Sequence, residues 1–208
     1  GVLRVVDQER HSSQARVCSR AQSGGGQLRQ GGARRWAGVL ASIGERARQL
    51  HGFIDGYAGL ACLPTPQPQV VFWPGFVESL ALQSPFKLTE TLPSRAGWFD
   101  PAQMEQVLIN LLKNAVESGG PTDAIEVRIL QTAQRMQIEV LDRGPGMSEA
   151  VLSQALLPFY STKRSGTGLG LALSREIVEA HDGRISLANR EGGGLRVRLS
   201  LPQPGASS

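Results

Sequence analysis

The chain of 208 residues is poor in cysteine and has no long hydrophobic run. Its two cysteines, Cys18 and Cys62, lie far apart and lack the spacing of metal ligands, so free thiols are favoured over a disulfide. No apolar run approaches the ~20 residues of a membrane span, and the N-terminus has no signal-peptide core. We expect a cytoplasmic chain that makes no membrane contact itself, while a membrane anchor in a preceding segment is compatible with the sequence.

The part of the chain that is expected to fold is not basic. The formal net charge is +4, but residues 1–50 carry nine Arg and three acids, whereas residues 51–208 carry thirteen basic and fifteen acidic residues. The positive charge therefore lies in the first quarter of the chain. We expect no nucleic-acid partner, because a nucleic-acid-binding domain concentrates basic residues on its folded part.

Two segments precede the main domain. Residues 1–35 are rich in Arg, Gln, Ser and Gly, a composition that predicts a poorly ordered or degenerate segment. Residues 36–63 carry apolar residues at alternating spacings of four and three, which predicts a helix that packs against a partner helix. This seam consists of Trp36, Leu40, Ile43, Ala47, Leu50, Ile54, Tyr57 and Ala61. Pro64, Pro66 and Pro68 end the helix.

Residues 70–202 predict one domain in which strands and helices alternate. Short strands are expected at 70–73 and 86–92, and Pro74 favours a helix start between them. Asp100 is the expected N-cap of a second helix. That helix places an apolar face inward, with Met104, Val107, Leu108, Leu111, Leu112 and Ala115.

The second half of this domain is expected to contain two hairpins. They cover residues 125–141 and 184–201, and a helix over 169–180 lies between them, with Gly183 at its C-cap. Helices interleaved with hairpins predict an α+β fold, a two-layer α/β sandwich in which helices cover one face of a mixed sheet.

Polar residues on the second helix form the first candidate for chemistry. Asn110 and Asn114 are four residues apart and share one helix face, and Lys113 and Glu117 form a similar pair beside them. Carboxamide oxygens are suitable ligands for Mg²⁺ that already holds phosphates. A solvated polar face is the alternative interpretation.

Asp142 follows an apolar strand and precedes the glycines Gly144 and Gly146. A carboxylate at this position can accept a hydrogen bond from an exocyclic amine such as that of adenine. Alternatively, the aspartate caps its own turn.

A polar loop and three alternating glycines open the last predicted helix. Such glycines let backbone N–H groups approach phosphates, and Lys163 and Arg164 in the loop can contact the β- and γ-phosphates. Solvated loop charges are the alternative. The candidate binding residues here are Thr162, Lys163, Gly166, Thr167, Gly168, Leu169 and Gly170.

Four segments, in this order, resemble the sequence boxes of the GHKL ATPase superfamily. Residues 110–115 (Asn-Leu-Leu-Lys-Asn-Ala) resemble its N box, and residues 142–146 (Asp-Arg-Gly-Pro-Gly) resemble its G1 box. Residues 158–163 (Pro-Phe-Tyr-Ser-Thr-Lys) resemble the F box, and residues 166–171 (Gly-Thr-Gly-Leu-Gly-Leu) resemble the G2 box. Within the superfamily the F box indicates sensor histidine kinases, and residues 36–63 resemble the second helix of their dimerisation and phosphotransfer hairpin, as in nitrogen-regulation-type kinases.

The resemblance implies a Bergerat fold that binds Mg²⁺ and ATP, passes the γ-phosphate to a histidine and then to a response regulator, and dimerises through residues 36–63. It implies catalytic roles for Asn110, Lys113 and Asn114, with Asn110 and Asn114 holding Mg²⁺. Asp142 would read adenine, Gly144 and Gly146 would bind the nucleotide, and residues 147–165 would form a lid. Hydrolytic relatives carry a glutamate base where Asn110 stands, so its absence favours a kinase.

The sequence also departs from the family pattern. The phosphoacceptor motif, a histidine followed by an acidic residue, does not occur, so we expect none of His11, His51 and His181 to accept phosphate. Leu195 stands where many relatives carry a Thr near adenine. A truncated, catalytically silent module that binds nucleotide or dimerises is therefore the alternative function.

Overall fold

The computed structural model describes residues 63–163 and 166–204, together with positions 40 and 44. The chain divides into two compact units, Gly1–His51 and Gly52–Ser208. In the first unit, Leu40 and Gly44 have helical backbone, and Leu40, a residue of the predicted seam, is exposed. The predictions for residues 1–35, and for residues 36–62 other than these two positions, lie outside the described residues.

The second unit contains four α-helices and seven β-strands within its described residues. The helices are α1 (Trp73–Gln83), α2 (Pro101–Glu117), α3 (Glu149–Leu152) and α4 (Gly170–Ala180). The strands are β1 (Gln69–Val71), β2 (Lys87–Leu88), β3 (Gly97–Phe99), β4 (Glu126–Gln131), β5 (Arg135–Leu141), β6 (Arg184–Asn189) and β7 (Leu195–Pro202). A single 3₁₀ turn, Thr122–Ala124, precedes β4. In this part of the chain, no helix is both long and apolar enough to cross a membrane.

Five of the strands form a mixed sheet in the order β2-β4-β5-β7-β6. Strand β2 runs parallel to β4, and the other neighbours are antiparallel. Strands β1 and β3 form a separate two-stranded sheet. The buried core joins apolar residues of α1, α2 and α4 to alternate residues of the strands, which confirms the predicted two-layer α+β sandwich. All six apolar residues that were predicted to face inward from α2 are buried.

The start of α2 is fixed by Asp100, as its sequence position predicts. The Oδ1 atom accepts hydrogen bonds from the backbone N–H groups of Ala102 and Gln103, at 3.0 and 3.1 Å, and Oδ2 accepts one from Gln67 at 2.9 Å. Burial alone would raise the pKa of this carboxyl, but the three backbone hydrogen bonds bring it below its ordinary value. This N-cap orients the helix that carries Asn110 and Asn114.

Several local predictions need correction. Trp73 begins α1 instead of ending the first strand, and the strand expected over 86–92 shortens to β2. Strand β3 has no counterpart among the predicted elements. After α4 the left-handed residue is Asp182, with φ 55°, and not Gly183. Gly183 is required for a different reason, because a Cβ there would lie 2.8 Å from the Val178 carbonyl oxygen.

Candidate functional site

A cavity of about 270 Å³ lies between α2, α3 and the loop that leads into α4. Nine residues predicted from the sequence line it: Asn110, Lys113, Asn114, Thr162, Lys163, Gly166, Thr167, Gly168 and Gly170. The rest of its lining consists of Glu117, Val151, Ala155, Tyr160, Ser161 and Leu171. Two segments that lie about 50 residues apart in sequence therefore share one cavity, as the boxes predicted.

The two asparagines are half-buried on the cavity wall formed by α2. Among the described residues neither side-chain amide forms a hydrogen bond, and none of their amide atoms is sealed from solvent. Their oxygens are therefore available to a ligand in the cavity. This position argues against the alternative of a merely solvated polar face, since such a face would not line a cavity together with a second, distant segment.

Three charged side chains meet at the end of α2. The Lys163 ammonium group donates a hydrogen bond of 2.7 Å to Glu117 Oε2, and Lys113 Nζ lies 3.9 Å from Glu117 Oε1. From the sequence, Glu117 was expected only as the i, i+4 partner of Lys113. Its spacing of three residues after Asn114 and seven after Asn110 would have placed it on the same helix face.

The glycine loop is held against the segment that precedes it. The Gly168 carbonyl accepts a hydrogen bond from Phe159 N–H at 3.0 Å, and Gly168 has φ +68°. A Cβ at Gly168 would lie 2.6 Å from the Phe159 carbonyl carbon and 2.7 Å from Tyr160 N. Only glycine combines this backbone conformation with such a close approach. Gly170 begins α4, and Leu169 is buried at its N-cap and does not line the cavity.

Asp142 is buried at the end of β5 and does not line this cavity, nor do Gly144 and Gly146. Its Oδ1 atom accepts hydrogen bonds from Gly144 N–H at 2.7 Å and from Leu195 N–H at 3.3 Å. Within the described residues no hydrogen bond reaches Oδ2, and that atom is not sealed from solvent. One oxygen thus caps the turn, which was the alternative interpretation, while the other is free to contact a ligand.

Two arginines, Arg143 and Arg190, whose contacts were not predicted from the sequence, hold the Asp142 segment in place. Arg190 donates to the Asp142 carbonyl at 2.9 Å and to Glu126 Oε1 at 3.1 Å. Arg143 donates to the carbonyls of Glu191 and Gly193. Burial would raise the pKa of Glu126, but its hydrogen bonds with Arg190 and Arg128 bring it below the ordinary value. Apart from Arg128, which is two residues from Glu126, these partners lie 48 to 64 residues apart in sequence, so no local pattern could have paired them.

Both ring nitrogens of His181, at the C-terminal end of α4, form hydrogen bonds with the backbone. His181 is buried, Nδ1 lies 2.8 Å from the Ile177 carbonyl oxygen, and Nε2 lies 3.1 Å from Asp100 N. Because the Asp100 N–H can only donate, Nε2 accepts and the proton sits on Nδ1. Neither ring nitrogen is therefore available as a nucleophile.

Comparison with known proteins identifies the domain. The family model for histidine kinase-, DNA gyrase B- and HSP90-like ATPases matches residues 99–205, which is more than half of the chain. The chain belongs to this ATPase family. The matched region is the ATP-binding catalytic domain of the sensor histidine kinase type, as its relatives indicate.

Two curated relatives illustrate the similarity. The C4-dicarboxylate transport sensor protein DctS of Rhodobacter capsulatus is 46% identical over 113 residues, which cover 51% of this chain and 17% of that protein. The sensor histidine kinase ZraS of Escherichia coli (strain K12) is 38% identical over 124 residues, covering 60% of this chain and 26% of that protein. The chain thus spans about a quarter or less of the length of these two relatives.

Solved structures show the same fold. The nucleotide-free catalytic domain of the histidine kinase ThkA superposes with a TM-score of 0.59 at 26% identity, over 66% of this chain and 96% of that one. Full-length ShkA in complex with AMPPNP superposes with a TM-score of 0.65 at 21% identity, over 84% of this chain and 40% of that one. The fold and the family predicted from the four boxes are confirmed, and the roles of individual site residues remain predictions.

Proposed function

We propose that this ATPase-family domain binds ATP with Mg²⁺ and transfers the γ-phosphate to a histidine, as the cytoplasmic catalytic part of a two-component sensor kinase. The cavity that joins the asparagine face of α2 to the glycine loop supports this most directly. In this arrangement the triphosphate occupies the cavity, and the adenine lies against Asp142 outside it. The free Oδ2 atom of Asp142 accepts the hydrogen bond from the adenine amino group.

The donor set of the cavity suits Mg²⁺ bound to phosphates. Asn110 and Asn114 offer amide oxygens with no protein partner among the described residues. Because these oxygens are neutral, they do not offset the positive charge with which Mg²⁺ attracts the phosphates. A bound Mg²⁺ supplies electrostatic stabilisation of the transferring phosphoryl group. Lys113 from α2 and Lys163 from the loop contact the phosphate oxygens. The loop backbone approaches the phosphates at Thr162, Gly166, Thr167 and Gly168.

Transfer to an imidazole fits the site better than hydrolysis. Asn110 is a poor base and cannot activate water, whereas an acceptor imidazole is itself a nucleophile. His181 is unsuitable because the fold uses both of its ring nitrogens. The acceptor histidine then lies on another segment or another chain, brought close by a homodimer formed through residues 36–63, and a response regulator takes the phosphate next.

Isothermal titration with Mg²⁺ and a non-hydrolysable ATP analogue tests the binding step. We expect micromolar-range affinity that weakens strongly in Asp142→Ala and in Asn114→Ala. Unchanged affinity in both variants would contradict the site assignment, and a complete lack of Mg²⁺-dependent heat would favour the silent module.

Radiolabelled ATP tests the transfer step. The chain is incubated alone, and also with a separate dimerisation and phosphotransfer hairpin that carries the phosphoacceptor histidine motif of the sensor kinases. An acid-labile, base-stable phosphate is expected on the added hairpin and not on this chain. Release of inorganic phosphate without any labelled protein would indicate hydrolysis and contradict the proposal.

A further inference from the structure

Glu117 is the acidic residue among those that line the cavity, and the two cavity lysines converge on it. Its Oε2 atom accepts the 2.7 Å hydrogen bond from Lys163, and Oε1 lies 3.9 Å from Lys113 Nζ. The three side chains are between 41% and 71% exposed, so they lie at the mouth of the cavity and can exchange partners.

A phosphate that enters the cavity would compete with the Glu117 carboxylate for Lys163. One of the two lysine charges that a phosphate would use, that of Lys163, is already paired with a carboxylate in the same cavity. An anion that enters must therefore draw Lys163 away from Glu117 and also tolerate the negative charge that remains. Glu117 lies four residues after Lys113 and 46 residues before Lys163. By bridging these two lysines, its carboxylate links the end of α2 to the loop before α4.

We propose that Glu117 acts as an internal counter-ion that holds Lys163 in the nucleotide-free site and lowers the affinity for phosphate-bearing ligands. Glu117 thus helps to determine ligand specificity. It changes the affinity for ligands that carry a phosphate and not the affinity for ligands without one, because only a phosphate can replace the Glu117 carboxylate as the partner of Lys163. This role rests on the proposed function, because it assumes that the cavity receives the phosphates of a nucleotide.

The test compares Glu117→Gln with Glu90→Gln. Both variants remove one negative charge, but Glu90 is exposed and does not line the cavity. Affinity is measured for ATP in the presence of EDTA and for adenosine. Because exposed ion pairs are weak, we expect Glu117→Gln to bind ATP about two- to five-fold more tightly than wild type. Adenosine affinity stays unchanged, and Glu90→Gln resembles wild type for both ligands.

A double-mutant cycle with Lys163→Gln separates pairing from simple repulsion. If Glu117 acts by holding Lys163, most of the gain from Glu117→Gln disappears in the Lys163→Gln background. A gain of equal size in both backgrounds would show that Lys163 is not involved and would overturn the counter-ion role.

Limited trypsin digestion gives a readout without nucleotide. Cleavage after Lys163 should be faster in Glu117→Gln than in wild type and Glu90→Gln, because the lysine side chain is no longer paired. Equal ATP affinity in Glu117→Gln and Glu90→Gln, with normal binding by wild type, would overturn this inference alone. If wild type binds no nucleotide at all, the proposed function fails and this inference fails with it.

Discussion

The substitution Asp142→Asn separates the structural use of this side chain from its use in binding. The amide oxygen can take the place of Oδ1 and keep the hydrogen bonds from Gly144 and Leu195, at 2.7 and 3.3 Å. The amide nitrogen then replaces Oδ2 and opposes the adenine amino group, donor against donor. Loss of a hydrogen bond to a charged group costs about 1.5–3 kcal/mol, so ATP affinity should fall roughly ten- to one-hundred-fold.

Guanine provides a second measure of the same contact. Its O6 atom is an acceptor where adenine has an amino group, so the new amide nitrogen can donate to it. The preference for ATP over GTP should therefore shrink in Asp142→Asn. Titration calorimetry with both nucleotides measures the ratio, and thermal unfolding confirms that the turn is intact.

Asp142→Ala serves as the comparison for folding. It removes the acceptor of both buried N–H groups, which should cost about 1–3 kcal/mol of unfolding free energy that Asp142→Asn retains. Wild-type ATP affinity in Asp142→Asn, or an unchanged preference for ATP over GTP, would refute the assignment of Oδ2 to the base.

Three further predictions follow from the same geometry. Asn114→Ala should weaken binding of Mg²⁺–ATP at least about tenfold in calorimetry, and binding of ATP in EDTA much less, because the amide acts through the metal. Gly168→Ala should lower the unfolding free energy by about 1–3 kcal/mol in urea titrations, whereas Gly75→Ala, with open space around it in α1, should raise it by up to about 1 kcal/mol. Folding lowers the pKa values of Asp100 and Glu126 from their ordinary values of 3.8 and 4.5. Their stabilisation is therefore present above these values and is lost as the pH falls through the lowered pKa values. Unfolding titrations between pH 3 and 6 should show a shallower loss in Asp100→Asn and Glu126→Gln.

The sequence was most informative where neighbouring residues determine the structure. The Asp100 cap of α2 needs only backbone groups two and three residues away. The shared face of Asn110 and Asn114 follows from helical periodicity alone. Strand β7 was predicted from its alternation, and Leu195, Val197, Leu199 and Leu201 are indeed buried. Short strands were harder, because β2 and β3 have only two or three residues and are defined by their partners.

By itself, therefore, the sequence determined the family, the α+β architecture and most of the residues around the cavity. Only the tertiary structure decided how the charges are paired. Lys163 meets Glu117 across 46 residues, and Arg190 meets Glu126 across 64. The tertiary structure also assigned one oxygen of Asp142 to its turn and left the other without a hydrogen bond from the described residues. Local sequence patterns cannot predict such pairs, because the paired residues are distant in sequence. Only the folded arrangement of the helices, strands and loops brings them together.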